Sequence, residues 1–376
     1  MSAPVVQGWC PGAHKPMMSG DGLVVRIRPF AAEISSDQAL GVAAAAEEFG
    51  NGFIDLTNRA NLQIRGVSQN GYPKLMERLS AHNLIDDDPA IEPKRNIVLT
   101  PFYAKDDLSN RLYLRMLESL AGFPAFPGKF GFAIDCGETR ILTDVPADIR
   151  FERSSSGALL VRADGCASGV ETTEDSAIET ALDLAKWFMK ARPSAIRRMG
   201  NLLAVTILPD RFQGTVPAKL SDLSHPGDVQ GGSALAVPFG SLAASSLVKL
   251  AENAKSSGIR VTPWHSVWLR GVTVSSETDL IHDPSDPILR VHACAGMPFC
   301  PQATVETRKP ASQLAGRWPG RLHVSGCAKG CAHPHAAEIT LIGRDSAFDL
   351  VTNGAAWDEA RQIALSPEDI EELDLT

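Results

Sequence analysis

No apolar run in the 376 residues approaches the roughly 20 that a bilayer-spanning helix needs, so no membrane association is expected. The opening MSAPVVQGWC has no signal-peptide core, and a cytoplasmic location is the expectation. Positive charge is also short. The chain has 36 Lys and Arg against 44 Asp and Glu, a net charge of −8 spread along its length, which argues against a nucleic-acid partner. No Gly-x-Gly-x-x-Gly fingerprint follows a strand pattern, so a dinucleotide site is not expected on this chain. Cysteine is scarce and odd in number, at seven, and four of the seven fall between positions 294 and 331. A disulfide framework would spread them out, whereas this crowding points to reduced thiols kept for a metal centre.

What remains is an ordinary globular balance, 44% hydrophobic and 21% charged, in a chain long enough for two or three domains. It contains a repeat. Thr57-Asn-Arg-Ala-Asn-Leu-Gln-Ile-Arg-Gly-Val67 aligns without a gap on Thr262-Pro-Trp-His-Ser-Val-Trp-Leu-Arg-Gly-Val272 at an offset of 205. Pro29-Phe30 matches Pro238-Phe239 at an offset of 209, which implies a four-residue difference in between. Each copy carries a helix there. Ser36 to Phe49 is Ala-rich with Gly50 beyond its end, and Ser241 to Ser256 puts Leu247, Leu250 and Ala254 on one face. Strand patterns flank them at Leu23–Arg28, Leu62–Arg65, Ala234–Val237 and Val267–Arg270. With a further helix over Tyr72–Asn83, each half reads β-α-β-β-α, a ferredoxin-like unit.

A second repeat follows the first. Pro127-Gly-Lys-Phe-Gly-Phe-Ala-Ile134 matches Pro319-Gly-Arg-Leu-His-Val-Ser325, ending near Cys136 in one copy and Cys327 in the other. An amphipathic helix is expected over Thr173–Ala191. The fold class is therefore α+β and duplicated, two ferredoxin-like half-domains alternating with two larger α/β units. The expected boundaries are 1–90, 91–225, 226–288 and 289–376, with Pro226–Gly232 as the linker between halves.

The strongest chemical signal is Cys294-x5-Cys300 followed by Cys327-x3-Cys331. Thiolates are soft ligands, and four of them suit one 4Fe–4S cluster. Ala293, Ala295 and Gly296 flank the first pair, and Gly326, Ala328 and Gly330 the second, so backbone N–H groups can approach sulfur. The run after Pro298 and Cys300 is expected to aim a helix N-terminus at the centre. Structural zinc and buried unligated thiols are the alternatives, though zinc pairs are usually spaced by two to four residues. Cys10, Cys136 and Cys166 read as packing residues.

The cysteine pattern behind duplicated ferredoxin-like units resembles the sulfite/nitrite reductase superfamily over nearly the whole chain. Thr57-Asn-Arg-Ala-Asn-Leu-Gln-Ile-Arg-Gly is similar to its Thr-x-Arg-Gln-x-x-Gln-x-x-Gly element, Arg95-Asn96 to its second basic element, and Lys129 to the first of two oxyanion-gripping lysines. Gly131 stands at the second lysine and Ala60 at the usual Gln. Gly8-Trp-Cys-Pro-Gly12 with Ser19-Gly-Asp-Gly-Leu23 resembles the cobalamin-pathway branch of that superfamily, the precorrin-3B synthases. That resemblance implies an iron–sulfur monooxygenase acting on precorrin-3A and O₂. It implies electrons from NADH through a separate reductase, a 4Fe–4S cluster on Cys294, Cys300, Cys327 and Cys331, and a mononuclear non-haem iron. Arg59, Arg65, Arg95 and Lys129 become candidates for binding substrate carboxylates, Asn61 for orienting the substrate, and His333 and His335 for iron. The competing readings are a sirohaem-dependent sulfite or nitrite reductase, and a non-catalytic iron–sulfur electron-transfer subunit.

Overall fold

The computed structural model of the chain describes residues 9–221, 226–254, 257–272 and 279–373. The first small unit contains β1 (Met17–Met18), β2 (Leu23–Ile27), β3 (Glu33–Ile34), α1 (Ser36–Phe49), β4 (Phe53–Leu56), β5 (Leu62–Val67) and α2 (Tyr72–Ala81). A larger module follows: β6 (Ile97–Leu99), α3 (Leu108–Ser119), β7 (Phe132–Asp135), β8 (Ile149–Arg153), β9 (Leu159–Ala163), β10 (Val170–Thr172), α4 (Ala177–Ala191) and α5 (Met199–Leu203). The second small unit has β11 (Gly227–Val229), β12 (Gly232–Ala236), β13 (Ser241–Ala243), α6 (Ala244–Ala254), β14 (Ile259–Val261) and β15 (Ser266–Arg270). The second module has β16 (Val291–Ala293), α7 (Arg308–Leu314), β17 (Leu322–Ser325), β18 (Ala337–Arg344), β19 (Ala347–Gly354), β20 (Gln362–Leu365) and α8 (Pro367–Glu372).

The small units exchange strands. The first sheet runs β1-β2-β5-β4-β13 and the second β11-β12-β15-β14-β3, so each is finished by a strand from the other half. Helix α1 starts in a capping box, in which the Ser35 and Gln38 side chains each accept from the other's backbone N–H. Its buried residues Ala39, Ala43, Ala45 and Ala46 are small. They share one core with Leu247, Leu250 and Ala254 of α6, and the two helices pack against each other. The repeated Arg-Gly-Val also has a structural cause: Gly66 and Gly271 both sit at positive φ, 74° and 64°, where a side chain is disfavoured.

Four expectations change. Ser241–Ala243 is strand β13, because it pairs with Phe53–Asp55 across the halves, and the helix begins at Ala244. The expected end of that helix at Ser256 lies outside the described residues, as does Gly8 of the N-terminal motif. Pro226–Gly232 is no linker: β11 and β12 form a hairpin there, turning at Gln230 and Gly231, both at positive φ. The Pro-Phe match is out of step by one residue. The paired left-handed residues are Ala31 and Ala32 in one half and Phe239 and Gly240 in the other, an offset of 208. The difference between halves is thus three residues, lying between the helix start (Ser36, Ala244) and the next strand (Ile54, Ile259). Finally, no helix follows Cys300 directly. A turn closed by Ala303 N–H on the Cys300 carbonyl (3.1 Å) and Met297 N–H on Val305 (2.9 Å) shape a loop, and α7 starts at Arg308.

The two modules are built alike. One sheet runs β10-β9-β8-β7-β6 and the other β16-β17-β18-β19-β20, in each case two parallel pairings followed by two antiparallel ones. Phe132 pairs with Ile149 and Leu322 with Ile339, the same 17-residue step (149 − 132 and 339 − 322). Among the described residues no helix is long and apolar enough to cross a membrane.

Candidate metal centre and substrate pocket

Cys294 directly follows β16, and Cys327 lies two residues past β17, its parallel neighbour. Both cysteine loops therefore leave the C-terminal edge of parallel strands, where α/β sheets place their ligands. Gly326 N–H donates to Cys294 Sγ at 3.2 Å, tying one cysteine to the loop of the second pair. A Cβ on Gly326 would lie 2.6 Å from Ala303 Cβ, so only glycine permits that approach. Thr304 N–H donates to the Gly326 carbonyl (3.1 Å) and Thr307 Oγ1 to the Cys294 carbonyl (2.7 Å), fixing the loops to each other.

Burial pushes the Cys327 thiol up, and Cys300 and Cys294 push it further; a Lys329 N–H works against them. Cys331 is raised by burial and by Cys294, Cys327 and Cys300, with Lys329 opposing. The four sulfurs thus share one electrostatic neighbourhood. A bound cation would offset the upward push on Cys327 and Cys331 by stabilising their thiolates. Among the described residues no three His, Cys, Asp or Glu side chains converge to hold a single ion. The donor set, four thiols on two loops at one sheet edge, is of the kind that iron–sulfur clusters take.

The two nominated iron ligands are neighbours, with no third His, Cys, Asp or Glu converging with them among the described residues. The His333 ring stacks on His292 (4.4 Å, 16°), stands 5.6 Å and 71° from His335, and places Nε2 3.3 Å from the Ala336 carbonyl. Two other histidines lie on the strands that lead into the cysteine loops. His292 and His323 are paired neighbours on β16 and β17, and burial drives their imidazoles down to about 3 and about 4, so both are neutral at pH 7.

The basic cluster around Arg59 is built on the repeated turn. Thr57 N–H donates to the Asn61 carbonyl (3.0 Å), Asn61 N–H to Thr57 Oγ1 (3.1 Å), and Ala60 lies at φ 54°. The second copy repeats this with Thr262, Ser266 and His265, also at φ 54°. Asn61 therefore closes the turn that presents Arg59. Arg59 is 7% exposed, and its guanidinium has a single acceptor among the described residues, the Lys129 carbonyl at 2.8 Å. Burial, helped by Arg198, lowers it to about 10, still charged at pH 7. Lys129 itself is exposed. Arg26 donates from Nε and Nη2 to Gln63 Oε1 (3.0 and 2.6 Å). Cys10 sits among these cations: burial pushes its thiol up, but Arg26, Arg59 and Lys129 outweigh it and the net shift is down. Cys10 and Arg26 were not foreseen, although the cross-strand pairing of Arg26 with Gln63 was within reach of the strand pattern.

Two nominated arginines are committed elsewhere. Arg95 holds Asp86 through Nε and Nη2 (2.9 Å), gives Nη1 to the Arg28 carbonyl and covers the Phe30 ring at 4.1 Å, with its side chain 3% exposed. Arg65 Nη2 donates to Ser19 Oγ (2.8 Å) and the Phe299 carbonyl (2.9 Å), and its guanidinium lies 3.6 Å from both Asp21 and Asp55. Neither is free for a substrate carboxylate. Arg65 instead ties the first unit to the Cys294–Cys300 loop. Gly131 is also no open space: a Cβ there would meet Asn96 Nδ2 at 2.6 Å and its carbonyl at 2.7 Å.

Duplicated small units, matched modules and one cysteine-bearing edge define a protein of the nitrite/sulfite reductase class. Residues 15–82 match the nitrite/sulfite reductase ferredoxin-like half domain. The chain superposes on the Mycobacterium tuberculosis NirA protein with a TM-score of 0.65 and 17% identity, over 93% of this chain and 79% of that one. It is 24% identical to the ferredoxin–nitrite reductase of Synechococcus elongatus, over 85% of this chain and 76% of the relative. Within that class it is 31% identical to the precorrin-3B synthase of a Sinorhizobium species, over 93% of this chain and 83% of the relative. The chain belongs to the precorrin-3B synthase family.

Proposed function

We propose that the chain performs the O₂-dependent hydroxylation of precorrin-3A at C20, with closure of a γ-lactone from the ring A acetate. The observation that carries this reading is the nearly full-length relation to a precorrin-3B synthase. One oxygen atom enters the macrocycle and the other leaves as water, which takes two electrons and two protons. The electrons come from NADH through a separate reductase. Cys294, Cys300, Cys327 and Cys331 would hold a 4Fe–4S cluster, which supplies one-electron transfer when bound. Arg59 binds a peripheral carboxylate of the substrate, because it is buried, charged and retains donors that no described carboxylate takes. Lys129 and Arg26 add positive potential to the same cluster, and Cys10 lies between them.

The chain's own geometry also weighs against a sirohaem-dependent sulfite or nitrite reductase. A small oxyanion needs concentrated positive charge. A lysine in place of Gly131 would have to displace Asn96, whose Nδ2 donates to Phe130 and whose carbonyl accepts from Phe132. The test is anaerobically reconstituted protein given precorrin-3A, a reductase with NADH, and isotopically labelled dioxygen. A product carrying one labelled oxygen supports the reading. An unaltered macrocycle, with a Soret band in the purified protein and turnover of sulfite or nitrite, would overturn it.

A further inference from the structure

His323 is 0% exposed, and neither ring nitrogen has a hydrogen-bond partner. A buried polar group left this way is destabilising, so it calls for an explanation. The fold does not require it. At the same register of the sister module, Ala133 occupies the His323 position and Val98 the His292 position, both inside a small apolar cluster with Leu142, Val145 and Ala147. One buried and one half-buried imidazole replace two apolar side chains only in the module that carries the cysteines.

Their location suggests the reason. Side chains alternate along a strand, so His292 shares a face with Cys294 two residues on, and His323 shares it with His292. A Cβ on Gly330, the residue before Cys331, would lie 3.7 Å from His323 Cε1, so the second cysteine loop runs directly past the ring. His333, two residues after Cys331, closes over the row, stacked on His292 and edge-on to His323 at 5.8 Å. The ring is sealed from solvent and faces the loops that would carry sulfur.

We propose that His323 is a positioning residue for the cluster, giving an N–H hydrogen bond to its sulfur and thereby raising its reduction potential. A donor to sulfur stabilises the reduced, more negative state, and removing it favours the oxidised one. The proposal rests on the four-thiolate reading, and the experiment separates the two. Protein reconstituted anaerobically with iron and sulfide is titrated redox-potentiometrically, with iron and acid-labile sulfide measured on the same samples. His323→Ala, which installs the sister module's residue, is expected to keep iron and sulfide and to shift the midpoint to more negative potential. His323→Gln, which restores an N–H, is expected to return it towards the parent value.

An unchanged or more positive midpoint in a cluster-bearing His323→Ala protein would overturn the proposal; water entering the vacated space would push in that positive direction. Should His323→Ala not retain the cluster, His323→Leu and His323→Gln are compared instead, and equal midpoints in those two would overturn it. A parent protein without iron and sulfide would overturn the cluster reading itself.

Discussion

The two sheet modules share strand order, pairing sense and the 17-residue step between their central strands, yet one face of them differs residue by residue. Val98, Ala133, Ile141 and Val145 in the first stand where the second has His292, His323, Cys331 and His335. Thr100 takes the place of Cys294, and even its backbone bond is kept: Thr100 N–H donates to Ile134 (2.9 Å) as Cys294 N–H does to Val324 (3.4 Å). Gly137 takes the place of Cys327. The apolar version is a packed cluster that needs nothing more. The polar version leaves thiols with raised pKa values and an imidazole without partners. One scaffold thus forms an apolar wall in one copy and carries thiols and imidazoles in the other, where the proposed cluster would bind.

Substitutions can break this contrast, the largest effect first. Cys327→Ser is expected to abolish bound iron and labile sulfide and with them turnover, whereas Cys166→Ser in the first module spares both; iron analysis on the two variants checks this. Next, Arg95→Met leaves Asp86 buried without its partner, and a loss of about 3–5 kcal/mol in unfolding free energy is expected by denaturant titration. Arg59→Met should act the other way round. Stability is held, because Arg59 pairs with no described carboxylate, while kcat/KM for the macrocycle falls roughly ten- to a hundredfold, equivalent to about 1.5–3 kcal/mol. The smallest effect concerns the thiols outside the cluster loops. Cys10 is held low by its arginines, and burial pushes Cys136 up, so iodoacetamide at neutral pH should label Cys10 well before Cys136. Arg59→Met should slow that labelling.

Much of the architecture was legible because duplication leaves anchors. The Thr-to-Arg-Gly-Val element marks a turn with one left-handed residue and a left-handed glycine after the strand, constraints that both copies keep. Strand exchange was hidden. Ser241–Ala243 extends a helical pattern smoothly, and only pairing with Phe53–Asp55, nearly 190 residues away, makes it a strand. Arg65 and Arg95 misled for a related reason: a basic side chain in a promising motif looks free until its distant partners, Phe299 and Asp86, are placed beside it. The two cysteine pairs stand out by spacing alone, which limits how far apart the thiols of each pair can lie; what they hold is the proposal tested below. His292 and His323 carry too short a strand pattern to be read as one face. Their meaning appears only beside Val98 and Ala133.

The most direct test of the central claim is iron and acid-labile sulfide per chain in protein reconstituted anaerobically, measured in parallel with Cys327→Ser. The account predicts about four iron and four sulfide in the parent and neither in the variant. Zinc without sulfide in the parent, or a full complement retained by Cys327→Ser, would contradict it.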